Sequence, residues 1–197
     1  MRNNHKAGLL MNIASKAAAL GIAAIAAAYA APAQAQNAQG PAVTDTQTTG
    51  SWSVRCYRGG PFVCDMTQVD IDRQRNVLVA SVSLSYNPKT DSYLGRFMLP
   101  LGVSFDQGLG IEVAQFQAQG VKYRVCGRDG CLAINILPPQ LIDAMQNSGA
   151  KGVMHAVLIN NQKLDIPILL DGFSDSLAKL KKLTAEKLAS ADQSGKK

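Results

Sequence analysis

The sequence predicts a mainly β domain, an antiparallel β-sandwich or barrel-like fold with two short helices, one of them C-terminal. Three observations lead there. Short runs of β-forming residues recur between turn signals from Trp52 to Leu170. Several runs alternate apolar and polar residues, the period of a half-buried strand. Helical spacing surfaces at only two places, after Pro139 and from Phe173.

WSVRCY (52–57) and FVCDMTQV (62–69) read as two strands separated by Arg58-Gly59-Gly60-Pro61, which is hairpin punctuation. In NVLVASVSLSY (76–86), Leu78, Ala80, Val82, Leu84 and Tyr86 fall on one face and Ser81, Ser83 and Ser85 on the other. A turn at 87–91 precedes the strand YLGRFML (93–99), and Leu99-Pro100-Leu101-Gly102 reads as a strand exit and tight turn. Alternation resumes at Leu101, Val103 and Phe105, and again at Leu109, Ile111 and Val113. FQAQGVKYRVC (116–126) and CLAINIL (131–137) then flank the loop Gly127-Arg128-Asp129-Gly130 as two further strands.

Pro139 suits the first turn of a helix in which Leu141, Ile142 and Met145 share a buried face, with Gly149 ending it. GVMHAVLI and KLDIPILL form a hairpin about Asn160-Asn161-Gln162. Gly172-Phe173 reads as a helix entry whose ring plugs the core, followed by Leu177 and Leu180 at helical spacing. Lys179, Lys181, Lys182 and Lys187 lie towards the helix C-terminus, where the helix dipole favours cations.

Residues 1–35 have the grammar of a secretory signal: a basic start at Arg2, His5, Lys6 and Lys16, an apolar run over 17–31, and Ala33-Gln34-Ala35 as a small-x-small cleavage site. The polar stretch 36–50 is expected as a flexible leader, 51–183 as one folded domain, and 184–197 as a basic flexible tail. The expected location is the periplasm, with membrane attachment if the signal is retained.

The whole-chain pI of about 9.2 is not a nucleic-acid footprint. Residues 51–178 carry eleven Lys/Arg and eleven Asp/Glu, so the excess charge lies in the signal and the tail. No nucleic-acid partner is expected. Lysines beside Leu177, Leu180, Leu183 and Leu188 leave a weak membrane-surface contact open, against a helix docked on the sheet.

Export makes the four cysteines, Cys56, Cys64, Cys126 and Cys131, a disulfide framework. Three connectivities are available, and nearness along the chain favours Cys56–Cys64 and Cys126–Cys131. Loop entropy would contribute about 2.6 and 2.2 kcal/mol to those pairs, and longer crossed pairs remain open. Structural zinc pairs are usually about two to four residues apart, so the four intervening residues of Cys126–Cys131 are at the edge and the seven of Cys56–Cys64 outside, and no CxxC supplies a redox thiol.

No active site or cofactor is expected. His155 lies in an apolar run and reads as a strand histidine, packed or hydrogen-bonded, and no GxSxG elbow or phosphate loop exists. Asp65 reads as pairing locally, Asp70 and Asp72 with Arg73 and Arg75 as a solvated loop, and Asp106 and Asp129 as single acids in turns.

The landmarks combine in one order: Trp52 with Cys56 and Cys64 close behind, FMLPLGVSFDQGLGIEV (97–113), YRVCGRDGCLA (123–133) and DGFSDSLAKL (171–180). Over about 51–183 this order resembles the invasion-associated locus B family of exported bacterial proteins. The resemblance implies a mainly β, periplasmic or envelope-associated protein with paired cysteines, some members being linked to host-cell invasion and virulence. It carries over no catalytic residues. The expected function is non-enzymatic binding of a protein or other envelope component, in envelope upkeep or host interaction. The alternative is a periplasmic binding module for a lipid, glycan or peptide.

Overall fold

The computed structural model describes residues 41–59, 61–72, 74, 77–149 and 151–194. The signal at 1–35, the first residues of the expected leader, Arg73 and Arg75 lie outside them.

Eleven strands and two helices follow in order: β1 (Ala42–Thr49), β2 (Trp52–Arg58), β3 (Cys64–Asp72), β4 (Val77–Asn87), β5 (Ser92–Leu99), β6 (Leu109–Val113), β7 (Phe116–Val121), β8 (Tyr123–Gly127), β9 (Gly130–Leu137), α1 (Pro139–Asn147), β10 (Gly152–Val157), β11 (Lys163–Ile168) and α2 (Phe173–Ser194). They form a seven-stranded sheet, β1-β2-β3-β4-β5-β9-β8, and a four-stranded sheet, β11-β10-β6-β7. Every described pairing is antiparallel. The fold is therefore the two-sheet form of the expected β domain, with no closed barrel.

Strand alternation builds the core. On β2, Trp52, Val54 and Cys56 point inward; on β5, Tyr93, Phe97 and Leu99 do. The smaller sheet contributes Ile111, Val113, Met154 and Ile166 to the same buried cluster, and α1 adds Leu141, Ile142 and Met145. Phe173, Leu177 and Leu180 of α2 complete it. Helix α2 is longer than the short helix expected. It runs as one 22-residue helix to Ser194, through most of the expected flexible tail.

The polar stretch 42–49, expected to be flexible, is β1, an edge strand registered on β2 from Ala42↔Arg58 to Thr49↔Trp52. Its residues are mostly exposed, so it carries no apolar signal. Its threonines favour extended backbone, and β2 supplies the ladder. Asp70 and Asp72, expected in a loop, lie within β3 opposite Ala80 and Val77.

Two other expectations change. Residues 101–105 form turns with one isolated bridge, Val103↔Leu158, in place of a strand. The run 116–126 splits at Lys122: Gly120 takes φ +71, β7 stays with β6, and β8 crosses to β9. One chain segment thus feeds both sheets.

The glycine before α2 has a steric reason. Gly172 has φ +74, and a Cβ there would collide with the Thr49 carbonyl oxygen. The close approach lets Ser51 N–H donate to Asp171 O (3.1 Å), locking the β1–β2 turn to the start of α2.

Candidate functional site

The cysteines pair as Cys56–Cys64 and Cys126–Cys131, with no free thiol. Each pair joins residues directly opposite in adjacent strands, β2 with β3 and β8 with β9. Their surroundings differ. Cys56, Cys64 and Cys131 are buried, whereas Cys126 is exposed on the outermost strand of the large sheet.

The loop between Cys126 and Cys131 is a two-residue turn presenting Arg128 and Asp129 to solvent. Gly130 is required there: it has φ +135, and a Cβ would strike the Leu99 carbonyl oxygen. Gly127 faces open space, and its lack of a side chain has no such steric cause.

Around this end of the sheet the LPLG segment makes its turn. Leu99 is buried at the end of β5, Pro100 is half-buried, Leu101 is exposed, and Gly102 has φ +92. The Gly102 carbonyl accepts Ile159 N–H at 2.8 Å, tying the 101–105 turns to the β10–β11 connection. Phe105 stacks on Tyr123 at 5.4 Å between centroids. Four large apolar side chains, Leu101, Phe105, Val125 and Ile159, are left more than half exposed.

A second surface lies where α2 passes the β4–β5 turn. Lys181 Nζ sits 3.3 Å from Asp91 Oδ1 and lies over the rings of Tyr86 and Tyr93, 5.0 and 5.5 Å from their centroids. Tyr86 O–H also donates to Asp91 Oδ1 (2.8 Å), and this bond, reinforced by Lys181, holds the Asp91 carboxyl below its usual range. The Tyr93 hydroxyl, then Asp91, raise the Lys181 ammonium. Beside the cluster opens a groove of about 600 Å³ lined by Tyr93, Ile136, Pro139, Ile142, Leu177 and Lys181, among others.

Asp65 is a buried carboxylate whose partners sequence reading missed. Its oxygens accept from Tyr57 O–H (2.9 Å) and Arg96 Nη2 (2.9 Å), and Arg55 Nε lies 3.6 Å away. Arg96 also donates to Ser85 and lies over the Phe62 ring at 4.2 Å. Burial, then Asp65, pushes the Tyr57 hydroxyl up to about 12. Arg96 lies 31 residues beyond Asp65, so only the pairing of β3, β4 and β5 brings them together. The cluster clamps strands.

His155 faces Asp165 directly across β10 and β11, with Nδ1 to Oδ1 at 2.8 Å, and its Nε2 lies 3.4 Å from Glu112 on β6. Asp165 orients the ring through Nδ1, and Nε2 faces Glu112 without a hydrogen bond. Asp106 and Asp129 sit singly in exposed turns. Among the described residues no cluster of His, Cys, Asp and Glu suits a metal ion, and no helix is long and apolar enough to cross a membrane.

Trp52 and Phe173 lie wholly inside: the rings meet at 5.2 Å, and Trp52 Nε1 donates to Leu169 O (2.8 Å). The candidate binding surface is consequently the β8 end of the molecule, with the α2 groove as a second.

Comparison with known proteins adds the family. A crystal structure of invasion associated protein b from Bartonella henselae has the same fold, with TM-score 0.65 and 22% identity over 73% of this chain and 99% of that one. No curated protein matches the sequence. The family model of the invasion associated locus B (IalB) protein matches residues 52–181, from the tryptophan that opens β2 to the lysine at the α2 groove. On that match the chain belongs to the IalB family.

Proposed function

We propose that this protein is exported to the periplasm and acts there by binding a protein or other envelope component, without catalysis. Two cross-strand disulfides and membership of a family of exported proteins fit an extracytoplasmic location. The observation that carries the binding reading is the β8 end of the large sheet. There an outermost strand lies beside exposed Leu101, Phe105, Val125 and Ile159, linked through the Gly102–Ile159 hydrogen bond and the Phe105–Tyr123 contact. Exposed apolar groups gathered about polar ones are a signature of interaction surfaces. The non-catalytic part is supported by the thiols, all four of which are oxidised. The setting of that binding is envelope function or host-cell invasion.

Brief crosslinking in living cells, followed by affinity capture from envelope extracts, tests the reading. A discrete adduct in place of a free monomer is expected. Recovery of uncrosslinked monomer alone, at crosslinker levels that join known envelope pairs, would oppose it.

The α2 groove favours a second reading, a binding module for a lipid, glycan or peptide. Its lining mixes apolar residues such as Ile136, Pro139 and Leu177 with polar ones, among them Asp91, Asp143, Gln146 and Lys181, which suits a ligand with both apolar and polar parts. Native mass spectrometry of protein extracted gently from envelopes separates the two: a bound small molecule lost on Ala178→Trp, at an exposed position of the groove lining, would favour the groove.

A further inference from the structure

We infer that β8 is a docking edge for an extended acidic segment of a partner protein, which adds to the seven-stranded sheet as its next strand. The inference rests on the partner-binding reading and names the chemistry of what is bound.

Among the described residues strand β8 ends the sheet and pairs only with β9. The turn at Arg128-Asp129 makes Gly127↔Gly130 the pair next to the loop, so the disulfide pair Cys126↔Cys131 falls at a position without ladder bonds between its two members. In an antiparallel ladder the N–H and C=O groups of such a residue point away from its partner strand. The main-chain groups of Cys126 therefore face the open edge, and the chain from Arg124 to Asp129 is exposed. An open edge of this kind is a template for an added strand. The disulfide holds it in extended form before anything binds, which lowers the ordering cost.

Charge selects the occupant. Lys122, Arg124 and Arg128 are exposed along the edge and have no ion-pair or hydrogen-bond partner among the described residues. Arg55, Arg96, Lys181 and Lys182 are paired within the fold. The other described cations without such a partner, Arg58, Lys89, Lys151, Lys163 and Lys187, lie on separate elements and not within one short run. Asp129 is the one acid in 122–131. A second copy of β8 would set these cations against their own kind, so self-pairing is disfavoured. Acidic side chains on an added strand would meet them favourably. Val125, 56% exposed, and the Phe105 ring offer apolar footing for the alternate residues of that strand.

The test uses the full exported protein and three labelled octapeptides: alternating Glu and Val, alternating Lys and Val, and the Glu/Val sequence with alternate amides N-methylated. The Glu/Val peptide should bind and slow exchange of the Cys126 amide. The Lys/Val and N-methylated peptides should each bind at least about tenfold more weakly, as should the Glu/Val peptide to Arg124→Glu. Equal binding of the N-methylated peptide would show attraction by charge alone and would overturn strand addition. Equal binding of the Lys/Val peptide, protection outside β8, or no binding would overturn it too. An envelope adduct recovered alongside such a failure would leave partner binding standing and remove only the acidic strand.

Discussion

The indole of Trp52 meets the phenyl ring of Phe173 edge to face, with centroids 5.2 Å apart and planes at 76°. Residues far apart in sequence are thereby joined: Trp52 opens β2, and Phe173 opens α2. Both are fully buried. Phe173→Ala should lower the unfolding free energy by about 3–5 kcal/mol through lost burial and the cavity left behind. Urea unfolding followed by Trp52 fluorescence measures it. A loss below about 1 kcal/mol would mean that α2 does not close the core.

Asp65 should matter more than either arginine's mere presence suggests. Asp65→Ala would leave Arg96, with its side chain 20% exposed, without its carboxylate, at a cost of about 3–5 kcal/mol. Arg55 is 36% exposed and 3.6 Å away, so Arg55→Ala should cost about 1 kcal/mol or less. Chemical denaturation of the two variants side by side gives the order, and equal losses would contradict it.

Alkali should unfold the protein in a defined window. Burial pushes the Tyr57 and Tyr123 hydroxyls up to about 12, with Asp65 adding to the effect at Tyr57. A raised folded-state value means that the unfolded chain loses these protons first. Stability is therefore full below about pH 10 and falls as pH rises towards about 12. Tyr86 and Tyr93 are raised as well, so tyrosinate absorbance should show all four titrating late with Tyr57 and Tyr123 last. Asp65→Asn should bring Tyr57 earlier while leaving Tyr123 unchanged. Early titration of both in the wild type would refute the burial.

The two disulfides should open in sequence. Cys126 is exposed on an edge strand, and both sulfurs of Cys56–Cys64 are buried. Under graded reductant, peptide mapping should find Cys126 and Cys131 alkylated first. Replacing either pair should lower stability by about 2–4 kcal/mol. Simultaneous reduction of both pairs would mean that burial does not protect the inner one.

Apolar alternation made most of the fold legible. Strands β2 to β6, β9 and the β10–β11 hairpin all carry a buried face, and both helices announce themselves through Pro139 and Phe173. Strand β1 was invisible because it is polar and buries no side chain fully; its order comes from the ladder with β2. The break at Lys122 was hidden because Val121 and Tyr123 on either side are both buried, in different sheets. Residues 101–105 alternate without being a strand, since turns at Gly102 and beyond leave Leu101 and Phe105 in solvent. The sites were harder to read than the fold. Asp65 with Arg96 and Asp91 with Lys181 are joined by pairing across the sheet and by helix docking, which local pattern does not encode. Nearness along the chain favoured the cysteine pairs found, because hairpins bring neighbours face to face, but it left the crossed pairings open.

The central claim is that the β8 edge meets a partner in the envelope. A photoreactive amino acid at Val125, with the full protein expressed and illuminated in intact cells, tests it most directly. The expected result is a discrete crosslinked species that is lost with Arg124→Glu, and none from a probe at Val43 on the opposite edge of the sheet. Equal adducts from Val43 and Val125, or none from Val125 while other exposed positions crosslink, would contradict it.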